Sequence, residues 1–220
     1  MDDPRLTFID GLLWYLQTRN WAFEKIKTCP TGSHLLDIKM YHYLYFSNLF
    51  GAVDIIRDNL KPTGKDAAFE DQVKRGFGNT TDWQYARELR NSIVHRGIDP
   101  AAAGHANGNI ILVLCPATVQ DQKGKKSYSC TFKYLVELAE CCNRAVNPAI
   151  FEVLESHGLL EPGQMTVGKE TTLSAIKDAE VMPEWAKTMA LKALGEMDFI
   201  KMAEQIASTR INELKGLLGH

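Results

Sequence analysis

The segment "TTDWQYARELRNSIVHRG", residues 80–97, has the pattern of a complete amphipathic helix. Thr81 and Gln84 have the spacing of a capping box at its start, and Gly97 is suited to end it. Between these ends, apolar side chains recur once per helical turn at Tyr85, Leu89 and Ile93. We therefore predict a helix that packs against other elements through this stripe and turns its polar side chains away from them.

Two longer helices are predicted before this segment. Apolar residues recur at helical spacing from Pro4 to about Lys27, and residues 29–33 then interrupt the pattern. A second apolar segment extends from about residue 35 to residue 60, and the short connection favours an antiparallel hairpin. Its aromatic side chains are assigned to core packing, ahead of a dimer interface and, last, a base-stacking platform: Tyr41, Tyr43, Tyr45, Phe46 and Phe50.

A β insert is predicted after the helix that ends at Gly97. A loop rich in glycine and alanine leads to "IILVLC", and "SYSCTF" follows after a polar connection; both have strand composition. We assign residues 109–133 to one β-hairpin in which these two strands pair. Helical periodicity resumes at Tyr134 and continues to about Glu155, with a kink or break expected at Pro148.

The remaining residues complete a mainly all-α fold. A short helix is expected over residues 67–76, and two or three helices between about Glu170 and Leu218. The predicted architecture is an α-helical bundle with a small β-hairpin insert and additional C-terminal helices. We divide it into a helical domain, residues 1–158, and a C-terminal helical extension, residues 159–220, packed on the same core.

Composition limits the classes of function. The net charge is −2 and the pI about 6.3, so any contact with nucleic acid must be local. The cysteines, including Cys141 and Cys142, which we expect to be buried, form neither a disulfide framework nor a zinc spacing. We predict no metal or other cofactor. No apolar run reaches the length of a membrane span and the N-terminus lacks a secretion signal, so we expect a cytoplasmic protein without membrane contact.

The polar face of the predicted helix holds the candidate functional residues. On a helix that advances about 100° per residue, Glu88, Asn91 and His95 lie on one face and can contact one another. Arg90 lies about 140° from His95, and its long side chain closes only part of that gap. Two copies related by a two-fold axis can combine such residues in a shared cleft. If these residues are functional, we therefore expect a homodimer with a composite site.

These residue types suit the binding and cleavage of a phosphodiester. Histidine titrates near neutral pH, so His95 can take a proton from a ribose 2′-hydroxyl or donate one to a leaving oxygen. Arginine presents a fork of hydrogen-bond donors to phosphate oxygens, and Arg87, Arg90 and Arg96 surround His95 in the sequence. Together these side chains need no metal. The alternative interpretation is a solvated helix end, where cations are also favoured.

The sequence "RNSIVH", residues 90–95, resembles the signature of the HEPN superfamily. In that family an arginine is followed four to six residues later by a histidine, often with a polar residue directly after the arginine. Arg90, Asn91 and His95 match these positions. The resemblance implies a helical bundle that is usually dimeric. For many members it also implies a metal-independent endoribonuclease in toxin–antitoxin, phage-defence or RNA-processing systems.

The resemblance further implies cleavage by attack of the 2′-hydroxyl, which leaves a cyclic phosphate and a 5′-hydroxyl. In that reaction His95 would be the general acid/base, Arg90 would bind and stabilise the scissile phosphate, and Asn91 would orient His95 or the phosphate. Candidate substrate-binding and supporting residues are Arg87, Arg96 and Glu88. RNA would be the substrate, and an antitoxin protein a partner.

A second hypothesis comes from another class of protein. Non-catalytic HEPN-like domains act in ligand binding or as interaction modules, so the same helix also fits a helical interaction or sensing module. A DNA-binding regulator is less favoured, because no helix shows the basic stripe of a recognition helix. Cleavage of RNA, and the distance between the two His95 imidazoles in a dimer, distinguish these hypotheses.

Overall fold

The computed structural model describes residues 4–161, 169–196 and 198–220. Within these ranges it contains eight α-helices: α1 Pro4–Lys27, α2 Leu35–Leu60, α3 Asp66–Gly76, α4 Thr80–Arg96, α5 Leu135–Ser156, α6 Lys169–Lys177, α7 Glu184–Glu196 and α8 Phe199–Leu218. A 3₁₀ helix, Lys61–Thr63, follows α2. Four short strands lie between α4 and α5: β1 Gly104–Asn107, β2 Ile110–Val113, β3 Val119–Gln120 and β4 Ser127–Tyr128. The predicted mainly all-α fold with a small β insert is confirmed.

Helices α1 and α2 form the predicted antiparallel hairpin. Their rings meet where the two helices face each other, and Trp21 contacts Tyr41 edge to face at a centroid distance of 5.7 Å. Further along, α1 approaches α2 so closely that a Cβ at Gly51 would lie 2.5 Å from the Tyr15 ring. Glycine at this position therefore permits the close packing of the hairpin.

The aromatic segment of α2 is only partly in the core. Tyr45, Phe46 and Phe50 are buried as predicted, and Tyr41 is half-buried. Tyr43, in contrast, is 43% exposed, so its assignment to the core is wrong. It lies two turns before Phe50 on the same side of α2. Trp83 of α4 packs on Phe50, whereas α4 ends beside Tyr43 and leaves a groove there.

Helix α4 carries the predicted apolar stripe but a different N-cap. Tyr85, Leu89 and Ile93 are all buried, and Gly97 ends the helix in the left-handed conformation with φ 66°, as predicted. The predicted capping box of Thr81 and Gln84 is wrong. Instead, the Asn79 side chain accepts a hydrogen bond from the Thr81 backbone N–H at 2.8 Å, which places Thr81 inside the first turn.

The β insert consists of two small hairpins, not the single hairpin predicted over residues 109–133. Strand β2 pairs with β1, and β3 pairs with β4. The predicted pairing of "IILVLC" with "SYSCTF" as one long hairpin is therefore wrong. Asn107 lies opposite Ile110, so a two-residue connection closes the first hairpin, with Gly108 at φ 60°. Pairing β2 with β1, which is two residues away in the chain, costs less loop-closure entropy than pairing it with a strand farther along.

Helix α5 continues through Pro148 without a break, so that part of the prediction is wrong. Proline removes one backbone hydrogen bond from a helix, but packing holds α5 on both sides of it, since Val146, Ala149 and Ile150 are buried. Cys141 and Cys142 are buried in the same helix, as predicted.

Three helices follow, within the predicted number. Helix α8 packs on α1 and α5 and contributes to the common core through Ala207, Ile211, Leu214 and Leu218. An ion pair at 2.8 Å between Arg210 Nε and Asp10 Oδ1 links it further to α1. Helices α6 and α7 contact each other. The boundary between residues 158 and 159 stays a prediction.

Candidate functional site

The candidate site is the solvent face of α4, between α2 and the β insert. The buried stripe of α4 points into the bundle, so the opposite side is open. Asn91 is half-buried and His95 is exposed on this open side. Arg90 reaches α2 on one border, and Arg96 reaches the insert on the other. The structure therefore brings the predicted residues to one surface.

A chain of polar contacts positions the centre of this surface. Arg90 Nη1 donates a hydrogen bond to Asn91 Oδ1 at 3.1 Å, and Asn91 Nδ2 donates to Glu88 Oε1 at 3.4 Å. Arg90 Nη2 lies 3.4 Å from Asp54 Oδ2 on α2. Asn91 is thus held between Arg90 and Glu88, next to the position of His95.

Two atoms of this cluster are shielded from solvent and lack a hydrogen bond. One is Arg90 Nε, and the other is Glu88 Oε2, which lies 3.6 Å from Arg96 Nη2. Asp54 also pairs with Arg57 at 2.8 Å, so Arg90 shares its carboxylate partner. Arg90 therefore has an N–H donor, at Nε, that its intramolecular hydrogen bonds do not use.

His95 differs from its neighbours because its imidazole makes no hydrogen bond within the described ranges. It is exposed in the last turn of α4, one turn after Asn91. No hydrogen bond joins His95 to Arg90 in the described residues, in agreement with the angle expected on one helix. Neither ring nitrogen of His95 has a hydrogen-bond partner among the described residues, so both can meet an external ligand.

The two other arginines of α4 have definite structural contacts. Arg87 Nη1 lies 3.4 Å from Glu70 Oε1 on α3. Arg96 donates to the Asp121 carbonyl oxygen at 2.8 Å and the Glu88 carbonyl oxygen at 3.2 Å, and it also bonds the Ser92 hydroxyl. Arg96 therefore ties the β insert to the end of α4. A role of Arg87 and Arg96 in substrate binding stays a prediction.

Asp54 and Glu70 are the site neighbours that sequence reasoning missed. Asp54 lies 36 positions before Arg90, and Glu70 lies 17 positions before Arg87. No local spacing marks either residue, because their contacts depend on how α2 and α3 pack against α4. His105 of β1 bonds Tyr134 Oη at 2.9 Å and contacts its ring edge to face.

An apolar groove lies where α4 ends, and Ile93 and Gly97 are among its lining residues. It has a volume of about 390 Å³ and lies between the start of α2 and the residues around Gly97. Four of its apolar side chains are more than 40% exposed: Leu36, Met40, Tyr43 and Ile98. An exposed apolar patch of this kind is typical of a contact surface.

No group of three or more His, Cys, Asp or Glu side chains that could hold a metal ion occurs in the part of the chain described. Across residues 4–161, 169–196 and 198–220, no helix has the length and apolar character needed to cross a membrane.

Comparison with protein-family models, curated proteins and solved structures finds no match for this chain. Functional inference therefore depends on the residues and their geometry.

Proposed function

We propose that this protein is a metal-independent endoribonuclease of the HEPN type. The observation that carries the proposal is the exposed imidazole of His95, which makes no hydrogen bond within the described ranges. It lies one helical turn from Asn91, on the surface that Arg90 borders. An imidazole with free nitrogens can exchange a proton with a substrate hydroxyl. Arg90, Asn91 and His95 are also the three residues that match the HEPN signature.

The proposed reaction is a transesterification within the RNA strand. A base removes the proton of the ribose 2′-hydroxyl, and the 2′ oxygen forms a bond to the adjacent phosphorus. The bond from phosphorus to the 5′ oxygen breaks, and an acid protonates that oxygen, which gives a 2′,3′-cyclic phosphate and a 5′-hydroxyl. His95 supplies the proton transfer, Arg90 binds the phosphate oxygens, and Asn91 orients Arg90.

A homodimer with a composite site is part of this proposal. One chain places a single imidazole on the face, whereas the reaction uses both a base and an acid. A two-fold axis beside the groove would bring a second His95 to the same cleft. The exposed apolar side chains of Leu36, Met40, Tyr43 and Ile98 support self-association there, because burying them is favourable.

We place the activity in the cytoplasm, in a toxin–antitoxin, defence or RNA-processing system. An antitoxin protein is then the expected partner, and RNA is the substrate. Arg87 and Arg96 remain candidate substrate-binding residues, and Glu88 supports Asn91. Release of Arg90 from its long contact with Asp54 would free its donors for a phosphate.

The direct test is cleavage of RNA by the purified chain in EDTA. We expect His95→Ala to reduce the rate by about 10²- to 10⁴-fold, the usual contribution of a general acid or base. Arg90→Ala should also lower the rate strongly. The matched control is His157→Ala, which should leave the rate unchanged; His157 is exposed and directly follows the last residue of α5. Unchanged cleavage in both His95→Ala and Arg90→Ala would overturn the assignment.

A second experiment tests the composite site. Met40→Glu places a charge in the exposed apolar patch, so we expect a monomer in size-exclusion chromatography coupled to light scattering, together with loss of cleavage. The matched control is Val181→Glu, because Val181 is 97% exposed outside that patch. A Met40→Glu variant that remains fully active as a monomer would contradict the composite site.

A non-catalytic interaction or sensing module is the second candidate function. The ion pairs favour it, since Arg87, Arg90 and Arg96 each have a carboxylate partner within the chain. This candidate requires that no RNA is cleaved and that the two His95 side chains lie far apart in the native assembly. A structure of the dimer with both His95 side chains in one cleft would exclude it.

A further inference from the structure

The connection between β3 and β4 concentrates positive charge next to the candidate site. Its sequence is "DQKGKK", residues 121–126, which we call the basic turn. Lys123, Lys125 and Lys126 are all exposed in it. None of the three forms an ion pair with a residue in the described ranges. This contrasts with the arginines of α4, whose charges have carboxylate partners.

The basic turn has a defined backbone conformation. Asp121 Oδ1 accepts hydrogen bonds from the backbone N–H groups of Lys125 at 2.7 Å and Lys126 at 3.2 Å. The Asp121 N–H donates to the Lys126 carbonyl oxygen at 2.9 Å, and Gly124 takes φ 65° at the tip. The lysines therefore project from an ordered turn, so less backbone entropy is lost when they bind a ligand.

The insert that carries the basic turn is attached to α4 at both ends of that helix. Near the start of α4, Asp82 accepts hydrogen bonds from the Thr131 N–H at 3.0 Å and the Thr131 hydroxyl at 2.6 Å. At its end, Arg96 donates to the Asp121 carbonyl oxygen at 2.8 Å. Arg96 directly follows His95, so the basic turn begins beside the turn of α4 that presents the imidazole.

We propose that the basic turn binds the phosphate backbone of single-stranded RNA beside the scissile bond. This inference depends on the proposed function for the identity of the site. Three exposed ammonium groups lie on this ordered turn, and none of them forms a salt bridge within the described ranges. They match a polyanion and read no base, so binding is independent of sequence. The net charge of −2 makes such a local cationic element necessary for binding RNA.

The test measures binding separately from cleavage. In a His95→Ala background, fluorescence anisotropy follows a labelled single-stranded RNA of twenty nucleotides over a series of salt concentrations. The variant Lys123→Gln, Lys125→Gln, Lys126→Gln should bind about tenfold to a hundredfold more weakly at 0.1 M salt. The slope of log K against log salt should become shallower by about 2, since three phosphate contacts are lost.

The matched control removes three exposed lysines elsewhere on the protein: Lys25→Gln, Lys177→Gln and Lys192→Gln. It changes the net charge equally, so its RNA affinity and salt slope should stay close to those of the parent. Equal weakening in both triple variants, or no RNA binding by the parent, would overturn the inference. Thermal unfolding of both variants checks that the exposed substitutions leave the fold intact.

The failure of this inference and the failure of the proposed function give different results. If the chain with His95 cleaves RNA and the basic-turn variant cleaves it with unchanged KM, the inference is wrong and the nuclease stands. If no chain cleaves RNA but binding depends on the basic turn, the nuclease is wrong and the RNA-binding role stands. The supporting result is a raised KM with an unchanged kcat.

Discussion

The face of α2 around His42 and the face of α4 around His95 contain the same titratable side chain in opposite surroundings. His42 is 3% exposed, and its Nδ1 donates a hydrogen bond to the Ile38 carbonyl oxygen at 2.8 Å. Burial lowers the pKa of His42 from 6.5 to about 4. His95 is exposed and makes no hydrogen bond within the described ranges. Burial thus makes His42 a neutral structural group, while His95 remains available for chemistry.

The largest effect expected from this comparison is a pH dependence of stability due to His42. The lowered pKa means that the unfolded chain binds a proton between pH 6.5 and 4 and the folded chain does not. The stabilising contribution is complete above pH 6.5 and is lost as the pH falls to 4, a change of about 3 kcal/mol in the free energy of unfolding.

Urea denaturation of the wild type and His42→Gln at pH 7 and pH 4 measures this contribution. The stability difference between the two proteins should shrink by about 3 kcal/mol at the lower pH, because glutamine does not titrate. His157→Gln is the control, since this histidine is exposed and should leave the pH dependence unchanged. A wild-type advantage that is equal at both pH values would contradict the burial of a neutral His42.

A smaller effect is expected at Gly97, where α4 ends two residues after His95. Gly97→Ala should destabilise the fold by about 1 kcal/mol, because a Cβ is disfavoured in the left-handed conformation. A Cβ there would meet no atom within 4 Å, so the cost comes from the φ of 66° alone. Gly216→Ala on α8 also meets open space but lacks positive φ, so it should stabilise the helix. Equal effects of both substitutions in thermal unfolding would refute this account.

The smallest expected effect is the stability change on removing the His95 side chain, compared with removing that of His42. His95→Ala should change the free energy of unfolding by less than about 0.5 kcal/mol, since the side chain is exposed and makes no hydrogen bond in the described structure. His42→Ala should destabilise the fold much more, because it removes a buried ring. Denaturation curves of the two variants measure the difference. A large loss for His95→Ala would indicate a structural role for that imidazole.

Local patterns predicted much of the fold because they report burial along one helix. The stripe of Tyr85, Leu89 and Ile93 predicted which side of α4 is buried, and Gly97 predicted its end. The same reasoning was wrong for the cap, because the Asn79 side chain accepts the Thr81 backbone N–H and so places Thr81 inside the first turn. It was also wrong for Tyr43, whose exposure depends on where α4 ends beside α2.

The candidate site was also predicted only in part from the sequence. The placement of Glu88, Asn91 and His95 on one face followed from helical geometry, and the structure brings Asn91 and Glu88 into contact. The carboxylate partners of the arginines did not follow from any pattern, since Asp54 and Glu70 lie on other helices. The attachment of Arg96 to Asp121 likewise required the position of the β insert.

By itself, the sequence determined the helical class of this protein, the buried side of α4 and the polar face that carries "RNSIVH". These features depend on the periodicity of a helix, which neighbouring residues encode directly. Only the tertiary structure decided that β2 pairs with β1, that Arg90 shares Asp54 with Arg57, and that Arg96 holds the first residue of the basic turn. Those features depend on contacts between residues far apart in the chain, which only packing brings together.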